Sequence, residues 1–444
     1  MKATIIGGGS YGWTFGFMRQ FIDSEPLRAD GLGVTLMDVN PEALALVGKA
    51  VDKYKSLRGV DLPVEHTGDM DRALDGADYV IVCISTGGLE AMRHDIEIPE
   101  RYGIWHTVGD TVGPGGWLRA VRNVPVFHDL GRRIKSLCPD AWLINVSNPL
   151  TVLTRTPAKC FGVKAIGMCP GAEHHARMLA RLAGLEGEVD CTVTGIDHGS
   201  WLTRCVAGGR DVLAALKAKG WCRSDDKLPT RAETPDAMAE TAGSRAIFAV
   251  WREIGYMPCL SDRHSCENWP WFLAAESDRL PFGIKRTSIA ERYVWRDHAR
   301  KRLEDFIASG TAGSLGHGDD PVVAVIESLA GHRSFLYGSN YANIGQIPEL
   351  PLGAVVETRC RFDGAGVHPL ASPMPEILRA LVLPHIIRQE AVIGIALSGS
   401  FDELVALVMT DPLCSRLPMG RCREMVREMV LANAALIPNK LLLE

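Results

Sequence analysis

The sequence predicts an α/β protein in which a doubly wound parallel sheet is followed by a larger, mostly helical α+β domain. Up to about residue 190, short apolar runs of strand length alternate with helix-like segments, which is typical of folds built from βαβ units. The first apolar run leads directly into a glycine-rich turn, Gly7 to Gly12. After about residue 190 long helical stretches dominate. We therefore expect one domain over residues 1–190 and a second over residues 191–444.

Composition narrows the class of protein. A chain of 444 residues is longer than one hydrophobic core usually holds. A net charge of −5 gives no reason to expect nucleic acid or an anionic membrane as a partner. No export signal opens the chain, and no apolar run reaches the roughly 20 residues that span a bilayer. The twelve cysteines are scattered without CxxC pairs, which predicts reduced thiols and a cytoplasmic protein.

The strands of the first domain are predicted from apolar runs bounded by turn residues. The run from Asp78 to Ile84 is almost continuously apolar, as expected for a parallel strand buried on both faces. The helices predicted between the strands include 41–58 and 118–138. The predicted strands are 2–7, 33–38, 78–84, 141–146 and 164–168.

The second domain is predicted from longer helical stretches with two strand-like segments, 190–197 and 353–361. The segment 364–373 is rich in turn residues and is expected to be a loop. The apolar tail from Leu431 to Leu443 suggests self-association, so we expect a homo-oligomer, either a dimer or a tetramer. The predicted helical stretches are 228–255, 296–309, 318–330 and 375–437.

The glycine-rich turn points to a dinucleotide cofactor. Gly7, Gly9 and Gly12 satisfy G-x-G-x-x-G after a strand, the fingerprint of a Rossmann-type nucleotide-binding unit. The backbone there can approach a pyrophosphate at a helix N-terminus. Asp38 ends the second apolar run, where a carboxylate would hold the ribose hydroxyls and repel the extra phosphate of NADP. NAD is therefore the expected cofactor, although an ordinary βαβ turn would give a similar pattern.

Two further clusters lie where ligands bind in open α/β sheets. Gly109 to Gly116 follows the third predicted strand and precedes a helix with Arg119 and Arg122. The polar run Asn145 to Asn148 ends the fourth predicted strand, where an asparagine could contact the nicotinamide ribose or a substrate hydroxyl. A connecting loop and an Asn-Pro turn are the structural alternatives for these two segments.

Three residue types that carry chemistry occur later in the chain. Cys169 ends the fifth predicted strand near a helix start, where the pKa of a thiol tends to be lowered. His198 also follows an apolar run, and together the two residues could form half of a metal site with open positions. A buried thiol and a core histidine are the alternative reading. The segment from Gly255 to Glu267 offers a carboxylate or a tyrosine as a general base, unless it is a solvated loop between domains.

Taken together, these segments resemble glycoside hydrolase family 4, the NAD- and metal-dependent glycosidases. The resemblance extends over nearly the whole chain, and the combination of segments is specific although each one alone is not. It is strongest to the members that act on unphosphorylated α-glycosides, such as glucosides, galactosides or uronides. The matching segments are 6–10, 38–41, 107–116, 148–149, 167–169, 198–202 and 340–351.

The resemblance implies a reaction unlike the two-carboxylate scheme of most glycosidases. NAD would oxidise the C3 hydroxyl of the sugar, and a divalent metal, typically manganese, would chelate O2 and O3. A base would remove the C2 proton, the aglycone would leave from C1, water would add, and NADH would return the hydride. The substrate is then a small glycoside.

The resemblance also assigns roles to residues of this sequence. Cys169 and His198 fall on the metal-ligand positions, and Asp262 falls in the region of the base, with Tyr256 as the alternative. The expected substrate contacts are Asn148, Asp110, His174 and Arg263, where Arg263 or Arg93 could meet a charged C6 group. The expected cofactor contacts are Gly7, Gly9, Ser10, Tyr11, Asp38, Thr86 and Asn145.

Two departures from the family pattern fall in the substrate pocket. Pro170 follows the cysteine where many members have a polar residue, and Asp197 precedes the histidine where members commonly have asparagine. Two other functions stay open at this point. One is an NAD-dependent 2-hydroxyacid dehydrogenase of the lactate/malate type, and the other is a non-catalytic NAD- or sugar-binding sensor.

Overall fold

A computed structural model describes residues 1–221, 243–273, 279–310 and 321–442 of the chain. Its centre is a nine-stranded sheet in the order β3-β2-β1-β4-β5-β6-β11-β12-β13. The first six strands in this order are mutually parallel, so the predicted doubly wound sheet is confirmed. They are β1 (Lys2–Ile6), β2 (Gly33–Met37), β3 (Val64–Thr67), β4 (Tyr79–Val82), β5 (Trp142–Asn145) and β6 (Lys164–Gly167).

Five of these six strands coincide with predicted ones, and β3 was missed. Its sequence, Val64 to Thr67, contains one apolar residue in four and lies at the edge of the sheet, with no residue fully buried. Hydrophobic periodicity, the main sequence signal for a strand, is absent from such a short polar segment.

The C-terminal half contributes three strands to the same sheet. They are β11 (Phe335–Ala342), β12 (Val355–Asp363) and β13 (Gly366–Pro369). Strand β11 runs antiparallel to β6, where Asn340 lies opposite Gly167, and β12 and β13 continue antiparallel. The predicted turn-rich loop at 364–373 therefore contains a short strand. The strands of the main sheet come from both sides of the predicted boundary at residue 190.

A second, antiparallel sheet lies in the C-terminal half. It consists of β7 (Val189–Thr194), β8 (Trp201–Ala207), β9 (Arg210–Asp211) and β10 (Met257–Pro258), with β8 between β7 and β10. The connection between β7 and β8 carries Asp197 and His198. An isolated bridge between Gly195 and Glu357 of β12 brings this connection to the main sheet.

Helices cover both faces of the main sheet and form most of the C-terminal half. The long helix predicted at 118–138 starts five residues earlier, inside the second glycine cluster. Of the predicted helical stretches, 228–242 and 318–320 lie outside the described residues. The helices are α1 (Thr14–Asp23), α2 (Glu25–Ala29), α3 (Pro41–Arg58), α4 (Met70–Leu74), α5 (Gly88–Glu100), α6 (Gly113–Leu137), α7 (Leu150–Phe161), α8 (Gly171–Ala183), α9 (Val212–Ala218), α10 (Arg245–Ile254), α11 (Asp262–Ser265), α12 (Ile289–Ser309), α13 (Val322–Leu329), α14 (Glu376–Ser398), α15 (Phe401–Met409) and α16 (Met419–Ala432).

One described helix, α14, is long and apolar enough to cross a membrane by length and composition. It packs against α6 and α7 inside the fold, and it buries the polar side chains of His385, Arg388 and Gln389. These contacts are those of a core helix.

Candidate active site

Cys169, Asp197 and His198 come together at the carboxyl end of the parallel sheet. Cys169 lies two residues beyond β6, and the other two residues lie in the β7–β8 connection. One ligand atom from each of the three lies within 4.8 Å of the others. Asp197 is fully buried and His198 nearly so. The predicted pairing of Cys169 with His198 is therefore present, with a carboxylate beside it.

A hydrogen-bond chain fixes the ring of His198. Its Nδ1 lies 2.9 Å from Thr111 Oγ1, and the Thr111 hydroxyl donates to Asp110 Oδ1 at 2.8 Å. The hydroxyl has one proton, so His198 Nδ1 must be the donor in the first bond. Nε2 then carries a lone pair and faces Asp197, whose Oδ2 is 3.6 Å away. This is the tautomer that a metal ligand requires.

Thr111 is placed by the glycine cluster that the sequence singled out. Helix α6 starts so close to the preceding loop that a Cβ at Gly116 would lie 2.5 Å from the Thr111 carbonyl carbon. The loop itself is held by Glu267, whose Oε1 accepts backbone N–H groups of Thr107, Val108 and Gly109. A glycine is needed at 116 because any side chain would push Thr111 away from His198.

The cluster holds more acidic groups than cationic ones. Burial and the neighbouring Asp197 and Glu357 raise the pKa of the Cys169 thiol well above its usual value. The expected lowering of its pKa was therefore wrong, because the thiol is buried and also faces two carboxyl groups. Burial, and then Asp197, also raise the pKa of Glu357 to about 8. Its Oε2 accepts a 2.5 Å hydrogen bond from Ser200, while its Oε1 has no partner.

These features fit a divalent cation. Apart from a contact with the Cys169 thiol, both oxygens of Asp197 are buried without a hydrogen-bond partner, and buried carboxylates are normally paired or coordinate a metal. The Cys169 thiolate, the His198 imidazole and the Asp197 carboxylate form a donor set suited to a first-row divalent ion. A bound cation would also favour the thiolate form of Cys169.

The expected substrate residues separate into two groups. Asn148 and Asp110 lie together, with Asn148 Nδ2 donating to Asp110 Oδ2 at 3.2 Å. Burial would raise the pKa of Asp110, but the charges of His198, Arg119 and Arg292 outweigh it and hold the pKa well below its usual value. His174 is exposed on α8, and its contact with substrate stays a prediction.

The two arginines expected near a charged C6 group have contacts outside the Cys169–Asp197–His198 cluster. The Arg263 guanidinium lies 5.9 Å from the Trp295 ring centroid, and Arg93 pairs with Glu90 and Glu97 on the surface of α5. A third arginine, Arg292 of α12, lies closer to the candidate substrate residues. It is half-buried near Asp110, its Nη2 donates to the Val108 carbonyl at 2.7 Å, and its Nε has no partner.

Asp262 has a different environment from the one expected of a general base. Its two carboxylate oxygens accept the backbone N–H groups of Ala246 and Ile247, at 3.1 and 2.9 Å. It therefore caps the N-terminus of α10. Tyr256 is half-buried at the other end of α10, against the main core. The sequence missed His264, whose ring centroid is 4.3 Å from that of His198 and whose Nδ1 has no partner.

The glycine turn at the start of the sheet has the conformation expected of a nucleotide-binding loop. Gly7 has a φ of 97°, and a Cβ there would lie 2.4 Å from the Cys83 carbonyl oxygen. Asp38 Oδ2 accepts the Gly9 N–H at 2.8 Å. Ser10 and Tyr11 are half-buried in the turn. Gly12 differs from the expectation, because a Cβ there would meet no atom within 4 Å.

The two remaining cofactor candidates lie at the ends of the neighbouring strands. The backbone of Thr86 is held by Asn123 and Arg122, which leaves its side chain half-exposed at the edge of the sheet. Asn145 is fully buried, and its Nδ2 donates to Ser147, Leu150 and Thr154. It organises the turn after β5, so the expected cofactor contact of its side chain was wrong.

Some of the missed residues had partial signals in the sequence. Thr111 lay within the glycine cluster already selected. Glu357 is an acidic residue inside a strand that is buried almost throughout, which is unusual without a function. Asn268, which donates to the His198 carbonyl at 2.7 Å, gave no distinguishing signal because asparagine in a loop is common.

A nucleotide-type turn and a Cys–Asp–His cluster at one sheet edge define an enzyme of the open α/β class with a candidate metal site. Comparison with known families makes this specific. The family 4 glycosyl hydrolase model matches residues 2–185, and the model of that family's C-terminal domain matches residues 193–414. The chain belongs to glycosyl hydrolase family 4.

Similar proteins cover nearly the whole chain. An alpha-galacturonidase of Thermoanaerobacterium saccharolyticum is 30% identical, over 96% of this chain and 94% of its own. An alpha-galactosidase of Bacillus subtilis is 27% identical, over 93% of each. The crystal structure of lplD from Bacillus subtilis has a TM-score of 0.85 at 28% identity, covering 97% of this chain and 99% of that one.

The similarity of this chain to lactate/malate-type dehydrogenases is limited to the fold. A malate dehydrogenase from Plasmodium falciparum is similar at a TM-score of 0.52 and 13% identity, covering 91% of this chain and 99% of that one. The match reflects the shared nucleotide-binding sheet. Membership of family 4 therefore replaces the dehydrogenase hypothesis.

Proposed function

We propose that this protein hydrolyses an unphosphorylated α-linked uronide, of the galacturonide type, with the help of NAD and a divalent metal ion such as Mn²⁺. The observation that carries the proposal is the largely buried Cys169–Asp197–His198 cluster at the edge of the sheet that also carries the glycine turn, in a family 4 chain. A solved relative, a 6-phospho-alpha-glucosidase from gut microorganisms, is a complex with NAD and Mn²⁺.

The glycine turn is the proposed cofactor site. Gly7 and Gly9 let the backbone approach the pyrophosphate, and Asp38 is placed to hold the ribose hydroxyls. Ser10, Tyr11 and Thr86 would line the cofactor. Bound NAD would take a hydride from the sugar and return it, and the metal would polarise the sugar oxygens.

The residues around the cluster would hold the sugar and move its protons. Cys169 and His198 are the proposed metal ligands, and Asn148 and Asp110 are the proposed partners of the sugar hydroxyls. The proposed group that takes the C2 proton is Tyr256 or His264, because Asp262 is occupied by the N-terminus of α10. The free Nδ1 of His264 supports its inclusion.

A uronide is favoured over a neutral sugar for two reasons. Four of the similar proteins, at 26–30% identity, are alpha-galacturonidases. Arg292 also offers a half-buried guanidinium near Asp110 with an unpartnered Nε. A planar guanidinium suits a carboxylate better than a neutral hydroxymethyl group. Arg292 is therefore the proposed partner of the C6 carboxylate.

We further propose that the enzyme works in the cytoplasm as a homo-oligomer, with two regions divided near residue 190. The described cysteines are all free thiols, which suits a reducing compartment. Large apolar side chains such as Ile344, Leu352 and Met419 are exposed on the single chain, and such groups are candidates for an interface.

The test is release of p-nitrophenol from α-galacturonide, α-galactoside and their β-linked counterparts, with NAD⁺ and Mn²⁺. We expect the α-galacturonide to be preferred, a requirement for both cofactors, and no net NADH. Steady NADH formation with intact glycoside would overturn the glycosidase, and preference for the neutral galactoside would overturn the uronide.

Arg292→Met tests the proposed carboxylate contact. Loss of a charge-assisted hydrogen bond should lower kcat/KM for the galacturonide about 10- to 100-fold, while activity on the galactoside changes less than about threefold. Arg93→Met is the matched control, because Arg93 pairs with glutamates on the surface and its loss should leave both substrates unaffected. Equal losses on the two substrates would assign Arg292 a general structural role.

A further inference from the structure

Asp197 stands out among the buried carboxylates of the candidate site. Its side chain is fully buried, and apart from a contact with the Cys169 thiol neither oxygen has a hydrogen-bond partner. Oδ2 lies 3.6 Å from His198 Nε2, which is too long for a hydrogen bond. It is close enough, however, for both atoms to bind one ion. The ligand atoms of Cys169, Asp197 and His198 all lie within 4.8 Å of one another.

Among the described groups that surround Asp197, only the His198 ring can carry a positive charge, and it does so only when it is protonated. The groups that face it are the Cys169 thiol, the Glu357 carboxyl, Asp110 and the His198 ring. No lysine or arginine among the described residues forms an ion pair with it. An uncompensated buried carboxylate is costly. A neutral asparagine at this position would avoid that cost, and a bound cation offsets it for the aspartate.

We propose that Asp197 is a third protein ligand of the divalent metal ion, beside Cys169 and His198. This inference rests on the metal site of the proposed function and adds one ligand to it. The Cys169 thiolate and the Asp197 carboxylate together balance the two positive charges of the ion. The site is therefore expected to bind the metal in the absence of the sugar. The added hard oxygen donor favours Mn²⁺, and three protein ligands leave open positions for two substrate oxygens.

The experiment measures Mn²⁺ affinity without substrate, by the loss of the free-Mn²⁺ EPR signal on titrating the NAD-loaded enzyme. Asp197→Asn should weaken Mn²⁺ binding at least tenfold, because even residues that only orient metal ligands cost 10- to 100-fold. NAD affinity should stay unchanged. Retention of Mn²⁺ affinity within about threefold would overturn the proposal.

Glu357→Gln is the matched control, because it removes a neighbouring buried acid outside the three-residue group. We expect it to change Mn²⁺ affinity less than about threefold. If it weakens binding as much as Asp197→Asn does, the effect is the charge of the pocket and ligation by Asp197 is overturned.

A measurement on the unaltered enzyme covers the case in which Asp197→Asn does not fold. Enzyme labelled with ¹³C at the aspartate carboxyls should give a ¹³C ENDOR coupling of a carboxylate bound directly to Mn²⁺, and its absence would overturn the proposal.

The Cys169→Ser variant distinguishes failure of the proposed metal site from failure of the third ligand alone. If the unaltered enzyme binds no Mn²⁺, or Cys169→Ser binds it equally well, the metal site of the proposed function fails. If Cys169→Ser loses Mn²⁺ affinity and Asp197→Asn keeps it, the metal site stands and only the third ligand is overturned.

Discussion

His198 adopts a backbone conformation that is rare for a residue with a side chain. Its φ is 61°, in the left-handed region that costs a non-glycine residue free energy. The surrounding contacts hold it there. Asn268 binds its carbonyl, and Thr111 binds its ring. This strain falls on a residue whose Nε2 faces Asp197, and strained residues cluster at functional sites.

Removing the Thr111 hydroxyl should disturb the metal site while leaving the fold intact. In Thr111→Val, His198 Nδ1 loses its acceptor, so the ring is free to change tautomer and orientation. We expect Mn²⁺ affinity to fall about tenfold or more and turnover to fall with it. Thr111→Ser keeps the hydroxyl and should restore both, as measured by EPR titration and initial rates. Equal behaviour of the valine and serine variants would show that the hydroxyl does not position His198.

At the scale of secondary structure, Asp262 joins two elements of the C-terminal half. It opens α11 and caps the first backbone N–H groups of α10. Ser244, the residue at the N-cap position of α10, makes no side-chain cap of its own. The N-terminus of α10 is therefore capped by the Asp262 carboxylate and not by the side chain at its own N-cap position. The stability of the first turn of α10 depends on a residue sixteen positions later in the chain.

Asp262→Ala should lower the free energy of unfolding by about 1–2 kcal/mol, the usual cost of a lost helix cap. Asp262→Asn keeps one acceptor oxygen and should cost less. Urea unfolding of both variants and the unaltered protein measures the difference. If Asp262→Asn folds with normal stability but loses all glycoside turnover, the carboxylate is the catalytic base after all.

The same residue predicts a pH dependence of stability. Burial raises the pKa of Asp262 to about 6, against about 3.9 in an unfolded chain. A raised pKa means that the folded state favours the protonated form. The contribution of this group to stability is therefore full below about pH 4 and is lost as the pH rises through about 6. Asp262→Asn should flatten this part of the stability curve, and an unchanged curve would exclude Asp262 as its source.

At the scale of the whole molecule, the two halves of the chain share one core. Strand β11 extends the parallel sheet at β6, and Phe15 of α1 packs against Phe306 of α12 at 5.3 Å between ring centroids. Ser24 also donates to Glu327 at 2.7 Å. The N-terminal sheet therefore buries its surface against residues that lie some 300 positions later.

A fragment of residues 1–190 should not fold as a stable unit. Without β11, the β6 edge is unpaired, and the apolar face under α12 and α13 is exposed to water. We expect low solubility and no cooperative thermal transition by circular dichroism, whereas the full chain melts cooperatively. A soluble fragment with a sharp transition and NAD affinity equal to that of the full chain would contradict this prediction.

Local sequence signals were enough to predict the parallel sheet and the nucleotide-type turn, namely buried apolar runs and glycines at the spacing of a tight turn after a strand. The Cys169–His198 pair was a weak local signal, and the resemblance to family 4 made it specific. The tertiary structure alone decided that Asp262 caps a helix, that Asn145 organises a turn, and that β11 completes the sheet. Each of these depends on a partner far away in sequence, and the hydrogen bonds and burial that fix the partner exist only after the chain has folded.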